Sequence, residues 1–301
     1  MTTRRVLPRP EAGTRAVTTG VASLVPDTDG RRGWTLYVNG MESSHVDLDD
    51  PTRLDFEYIR WLVAGIESLP VVCRPAQDAD TWRILHLGGG GCTLPRYLAA
   101  THARARQVVV ELDPGVLELT KQAFGLRSRA RLRLRIGEAR AAVSAEPDAG
   151  CDVVVRDAFI GSTVPPHLMT RQFVAEVARV LRPGGIYLAN LADGELLATA
   201  RREVATAQLS FAHVALVAEP GQLRGRRYGN VVIAASHSPL PVEGWARRLA
   251  SDPVRARLVD GEAALAFGSG RRPFEDDDLE PGWFEADQPA PAGSTTVTPD
   301  A

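Results

Sequence analysis

Lysine is almost missing from this chain: of 35 basic residues in 301, Lys121 is the sole Lys. A G-x-x-x-x-G-K phosphate loop is therefore absent, and a Schiff-base mechanism would have to use Lys121. Cysteine is scarce too. Cys73, Cys92 and Cys151 are odd in number, far apart and without C-x-x-C spacing. They fit buried thiols in a reducing compartment and speak against a zinc site. His45, His102, His167, His213 and His237 form no metal-ligand spacing, so no metal is expected. No G-x-S-x-G elbow is present, which disfavours a hydrolase of that type. No run of about 18 apolar residues occurs, so no membrane span is expected. Arg4 and Arg5 are followed by no apolar stretch before Glu11, so no secretory signal is expected and cytoplasm is the expected location. A charge excess is missing as well. The net charge of −2 implies neither nucleic acid nor an acidic surface as partner.

What remains is ordinary globular usage, 44% hydrophobic and 24% charged. Residues 1–30 mix Arg, Pro, Thr and Gly without period and read as a loose segment. Residues 31–75 read as a β-hairpin, turning at Asn39-Gly40, followed by a helix from near Pro51 capped by Asp49 or Asp50. Residues 76–240 alternate strands and helices, the pattern of a parallel sheet covered on both faces. Glu195–Leu209 and His167–Leu181 are among the expected helices. Residues 241–268 read as a helical segment and 269–301 as a Pro- and acid-rich, largely disordered tail. The fold class is α/β, with a doubly wound, mostly parallel, seven-stranded Rossmann-like sheet and a small N-terminal hairpin region.

In such sheets ligands bind beyond the carboxyl ends of the strands. Four strand ends carry candidates. Gly88, Gly89, Gly90 and Gly91 lie between a strand and a helix, where backbone can approach a ligand closely. The dinucleotide fingerprint is imperfect, because Thr93 stands where its third Gly belongs. Glu111 lies 23 residues after Gly88, near the spacing at which a carboxylate reaches a ribose diol, and the diol role is the favoured reading over a solvated strand-end acid. Asp113 reads as the cap of the helix opened by Pro114. Gly137-Glu138 could place a carboxylate at an exocyclic adenine amine, or be an exposed turn. Asp157 ends a nearly apolar strand interrupted by Arg156 and could take a proton from a nucleophile, or serve as a turn acid. His86, inside a strand, reads as a hydrogen-bonded core residue.

The ordered set L-H-L-G-G-G-G, V-V-V-E-L-D-P, I-G-E-A-R, D-V-V-V-R-D-A-F and V-L-R-P-G-G, preceded by L-Y-V-N-G-M-E-S-S and D-F-E-Y, resembles spermidine synthases (polyamine aminopropyltransferases). More broadly it resembles class I methyltransferase-type Rossmann domains. The resemblance runs from about Trp34 to Ser236. It implies that Glu111 binds ribose, Glu138 contacts adenine, Asp157 helps deprotonate the attacking amine and Tyr58 lies near the acceptor. It also implies a sulfonium nucleoside as co-substrate, either S-adenosylmethionine or its decarboxylated form, and a small-molecule amine or other nucleophile as partner, with a homodimer left open. Three family acids are absent. Gly91 stands where an Asp holds the aminopropyl ammonium, with Cys92 in place of the next Gly. Ile160 replaces a second catalytic-loop Asp, and Arg60 replaces an acid after the tyrosine. Ammonium groups need carboxylates to replace their water, so these losses point to an atypical acceptor pocket. Aminopropyl transfer, methyl transfer, a catalytically degenerate nucleoside binder and, more weakly, a nicotinamide-dependent dehydrogenase remain the readings.

Overall fold

The computed structural model describes residues 9–73 and 81–279, without the Cys73 side chain. The reading of residues 1–8 and 280–301, and that of the Cys73 thiol, lie outside what is described. A four-stranded antiparallel sheet comes first, in the order β1 (Gly13–Val17), β2 (Gly20–Pro26), β3 (Gly33–Val38) and β4 (Met41–Asp47). Asn39 and Gly40 join β3 to β4 with φ of 50° and 79°, the positive values that a two-residue hairpin turn needs. Residues 13–26, expected to be loose, form a second hairpin. Its buried face rests on Ala22 and Leu24, which pack with Trp34, Leu36 and Val46 against a helix of the main domain. β1 buries no residue and β2 buries only Ala22 and Leu24, which leaves little hydrophobic pattern along the chain.

Helix α1 (Glu57–Ile66) starts six residues after Pro51. Asp50 caps a turn instead, accepting from the Thr52 backbone and hydroxyl. Trp61, Leu62 and Ile66 form its buried face. After α2 (Pro70–Cys73) the chain enters the large sheet. Its elements are β5 (Arg83–Leu87), α3 (Thr93–Thr101), β6 (Arg106–Glu111), α4 (Pro114–Phe124), β7 (Leu132–Ile136), α5 (Ala139–Ser144), β8 (Cys151–Arg156), α6 (Arg171–Val180) and β9 (Leu181–Asp193). They continue with α7 (Ala198–Ala207), β10 (His213–Ala218), α8 (Pro220–Leu223), β11 (Gly229–Ser236), α9 (Val242–Ala250), β12 (Arg257–Val259) and α10 (Gly261–Gly268). The strand order is β12-β10-β11-β9-β8-β5-β6-β7. Strands β5 to β9 are joined by parallel pairings, and β11 runs antiparallel to both β9 and β10.

Among the described residues the sheet therefore has eight strands rather than seven. The helix expected over 243–267 breaks after α9, where Pro253 lacks the N–H a further turn would use, and β12 then pairs with β10. Helix α6 begins at Arg171 with Thr170 as cap, and His167 lies in a preceding 3-10 turn. Residues 271–279, expected to be tail, pack on the main domain. The Phe274 N–H donates to Thr206 Oγ1, and the Arg202 guanidinium lies 4.0 Å from the Phe274 ring centre. Arg171 pairs with Glu275 and Arg140 with Asp276. No helix among the described residues is long and apolar enough to cross a membrane.

Candidate active site

The carboxyl ends of β5, β6 and β8 open into a cavity of about 940 Å³, roofed by the β3–β4 hairpin. The glycine turn is dictated by space. Gly88 has φ +99°, and a Cβ there would stand 2.2 Å from the Asp157 carbonyl oxygen. Gly89 and Gly90 also line the cavity. Gly91 does not. It is buried beneath β4, its N–H donates to Ser44 Oγ at 2.9 Å, and a Cβ would meet the Ser44 Cβ at 2.8 Å. The expected ligand role of Gly91 is therefore corrected to one of packing between the two sheets. Cys92 is buried at the start of α3, and burial pushes its thiol up to about 12, so it is chemically quiet.

Glu111, at the end of β6, lines the cavity and accepts from the Gly89 and Gly90 N–H groups at 2.8 and 2.9 Å. Those are the amides that a pyrophosphate would use, and a carboxylate already holds them. That electrostatic fact disfavours the dehydrogenase reading. Asp113 caps α4, as expected, and also clamps the β1–β2 turn by accepting from Thr18 and Thr19. Gly137 and Glu138 line the cavity. Glu138 is not an exposed turn acid. It caps α5 through the Arg140 and Ala141 N–H groups and meets His167 Nε2 at 3.0 Å. Those donors hold its carboxyl below the usual range despite partial burial.

Asp157 follows β8. Its Oδ2 accepts from the Tyr58 hydroxyl at 3.1 Å and its Oδ1 from Asn190 Nδ2 at 2.9 Å. Burial pushes its carboxyl above the ordinary value, and the two donors and Arg156 oppose that shift. A carboxylate poised in this way can accept a proton from an incoming nucleophile. Tyr58 is itself raised, by burial and by the neighbouring Asp157 charge, so it stays protonated and donates. Beneath the site the guanidinium of Arg156, fully buried, pairs with Glu203 at 2.8 Å and donates to the Asn190 carbonyl at 3.2 Å. That charge pair anchors the strand ends on either side of Asp157.

Sequence reasoning missed Asn190, although a lone amide inside I-Y-L-A-N-L is a legible signal. It also missed Glu57, which lines the cavity and accepts from Asn230 Nδ2 at 3.2 Å, 173 residues away. Arg60 does not reach the lining. It points to Asp252 at 2.8 Å and to the Leu54 and Asp55 carbonyls. His86 is a core residue bonded to Gln107 at 2.9 Å, and burial lowers it to about 4. Among the described residues the lining holds six carboxylates, Glu42, Glu57, Glu111, Asp113, Glu138 and Asp157, and no Arg or Lys. The whole chain has 35 basic and 37 acidic residues, so this sorting gives the cavity a negative potential that favours cations.

A solved structure of a probable spermidine synthase from Corynebacterium glutamicum superposes with a TM-score of 0.82 at 35% identity, covering 89% of this chain and 97% of that one. The chain belongs to the spermidine synthase-like family. Residues 84–185 of this spermidine synthase-like chain also match the family described as Methyltransferase domain. A polyamine aminopropyltransferase from Vibrio vulnificus is 32% identical over 140 residues, 46% of this chain and 44% of that protein. The match thus spans less than half of that relative. One from Chromobacterium violaceum is 27% identical over 227 residues, 75% of this chain and 78% of that one.

Proposed function

We propose that this protein transfers a carbon group from a sulfonium nucleoside to an amine nitrogen, with aminopropyl transfer from decarboxylated S-adenosylmethionine as the leading reaction. The observation that carries this is Asp157, held by Tyr58 and Asn190 in a cavity that, among the described residues, is lined by acids and by no Arg or Lys. The amine attacks the carbon bound to sulfur. The C–N bond forms as the C–S bond breaks, the electron pair stays on sulfur as a neutral thioether, and the nitrogen's proton passes to Asp157. Glu111 fits the ribose, and Gly88 to Gly90 leave room for the nucleoside to approach the backbone. Glu138, together with Gly137, borders the adenine end. Alignment and one proton acceptor are all the protein has to supply, because the sulfonium is already activated.

Methyl transfer from S-adenosylmethionine is the second reading, and one observation favours it. Residues 84–185 match a family described as Methyltransferase domain. Calorimetric titration with S-adenosylmethionine, its decarboxylated form and methylthioadenosine, followed by turnover with amines, tests the proposal. Tight methylthioadenosine binding and transfer to nitrogen support it. Silence for all three nucleosides overturns it in favour of a degenerate, non-enzymatic member.

A further inference from the structure

Besides its carboxylates, the cavity carries large apolar side chains. Among the described residues nine large hydrophobic side chains are exposed, and three of them, Met41, Ile160 and Tyr228, line this one cavity. Ile160, at 46% exposure, lies three residues after Asp157 on the loop that leaves the base. Phe159 beside it also lines the wall. Phe56 and Tyr58, which flank Glu57 in the chain, also line the cavity, their rings 6.0 Å apart. Large exposed apolar groups gathered at a concave site mark what that site binds.

Asp157 is bonded to Tyr58, and Glu57 lies between Phe56 and Tyr58 in the chain, so a carboxylate and an aromatic face are both on offer to an ammonium. Each of the six has partners: Asp157 has Tyr58 and Asn190, Glu57 has Asn230, Glu111 the glycine amides, Asp113 and Glu138 helix N-termini, and Glu42 the Tyr37 hydroxyl at 2.9 Å. A second ammonium reaching past the base would meet Ile160 and Phe159.

Resting on the transfer reaction proposed above, we infer that the acceptor is a primary amine carrying an apolar or aromatic body, and that Ile160 is the residue that selects it over a diamine. The amine end sits between Asp157 and Glu57, and the body lies against Phe159, Ile160 and the exposed rim. An ammonium left without a carboxylate partner loses about 10- to 100-fold in binding, which sets the size of the discrimination.

The test compares 2-phenylethylamine with 1,4-diaminobutane on the full chain, with decarboxylated S-adenosylmethionine as donor and S-adenosylmethionine in parallel. Expected is a kcat/KM at least tenfold higher for the aromatic amine, and an Ile160→Asp variant in which that ratio falls at least tenfold. Methylthioadenosine affinity, measured on the same variant, reports that its donor side is intact. An Ile160→Leu variant should keep the wild-type preference. Calorimetry of both amines on protein saturated with methylthioadenosine reads the same preference without turnover. Equal or better use of 1,4-diaminobutane by the wild type overturns the inference and leaves the transfer reaction standing. Ordered binding of the aromatic amine with no turnover from either donor refutes the transfer reaction and keeps the pocket assignment. An Ile160→Asp ratio unchanged from wild type removes Ile160 from the selection and overturns the inference.

Discussion

Replacing Asp157 by Asn separates catalysis from stability in opposite directions. The amide keeps the carboxylate's shape and both of its contacts. Its oxygen can accept from Asn190, and its NH2 can donate to Tyr58, whose hydroxyl rotates to accept. What is lost is the proton acceptor, worth about 10²- to 10⁴-fold in rate. The stability term has the other sign. Burial holds the folded Asp157 above its unfolded value, so between those two values the folded chain binds the extra proton. Folding stability therefore falls as pH rises through that window, and at neutral pH the native state carries a desolvated charge. Asn removes it. The expected variant binds methylthioadenosine normally, turns over at least 100-fold more slowly, and melts at or above the wild-type temperature at pH 7.5, the difference vanishing toward pH 4. The wild-type kcat/KM should fall on acidification through the raised Asp157 value, and that limb should be missing from the variant's residual activity. Stopped-flow or discontinuous assay of methylthioadenosine release, with thermal melts across pH, measures both. A variant within tenfold of wild-type rate, or one clearly less stable at neutral pH, would refute the assignment of Asp157 as a strained base.

Glu203→Ala leaves the fully buried Arg156 charge unpaired and should cost roughly 3–5 kcal/mol; a chemical-denaturation midpoint equal to wild type would show that the pair does not anchor the site. Glu111→Ala removes the acceptor of two glycine N–H groups and the proposed ribose partner, so methylthioadenosine affinity should drop at least tenfold, in line with a charge-assisted bond of about 1.5–3 kcal/mol; unchanged affinity in a folded variant sinks that role. Asp276→Ala removes the carboxylate that grips Arg140 at 2.8 and 2.6 Å, and Arg140 also reaches the His167 carbonyl at 3.4 Å. Since His167 and Glu138 line the cavity, nucleoside affinity should weaken several-fold with the amine KM unchanged. A variant with wild-type affinity would mean that residues 271–279 only cover the surface.

The sequence by itself determined whatever depends on neighbours along the chain. Asn39-Gly40 turns a hairpin because both residues tolerate positive φ. Asp113 caps α4 because its carboxylate reaches N–H groups two and three residues on. Gly88 to Gly90 and Glu111 fall at adjacent strand ends because alternating strands and helices of this length build a parallel sheet. Tertiary structure alone decided what depends on partners far away in the chain. Gly91 sits in the same glycine run as Gly90, yet Ser44 on another sheet makes one a packing residue and leaves the other at the cavity. The base is completed by Tyr58 and Asn190, 99 and 33 residues from Asp157, and Glu57 is held by Asn230. Residues 13–26 and 271–279 carry almost no periodicity of their own. Contacts to α4 order the first, and Arg140, Arg171 and Arg202 order the second, through burial and charge that no local pattern encodes.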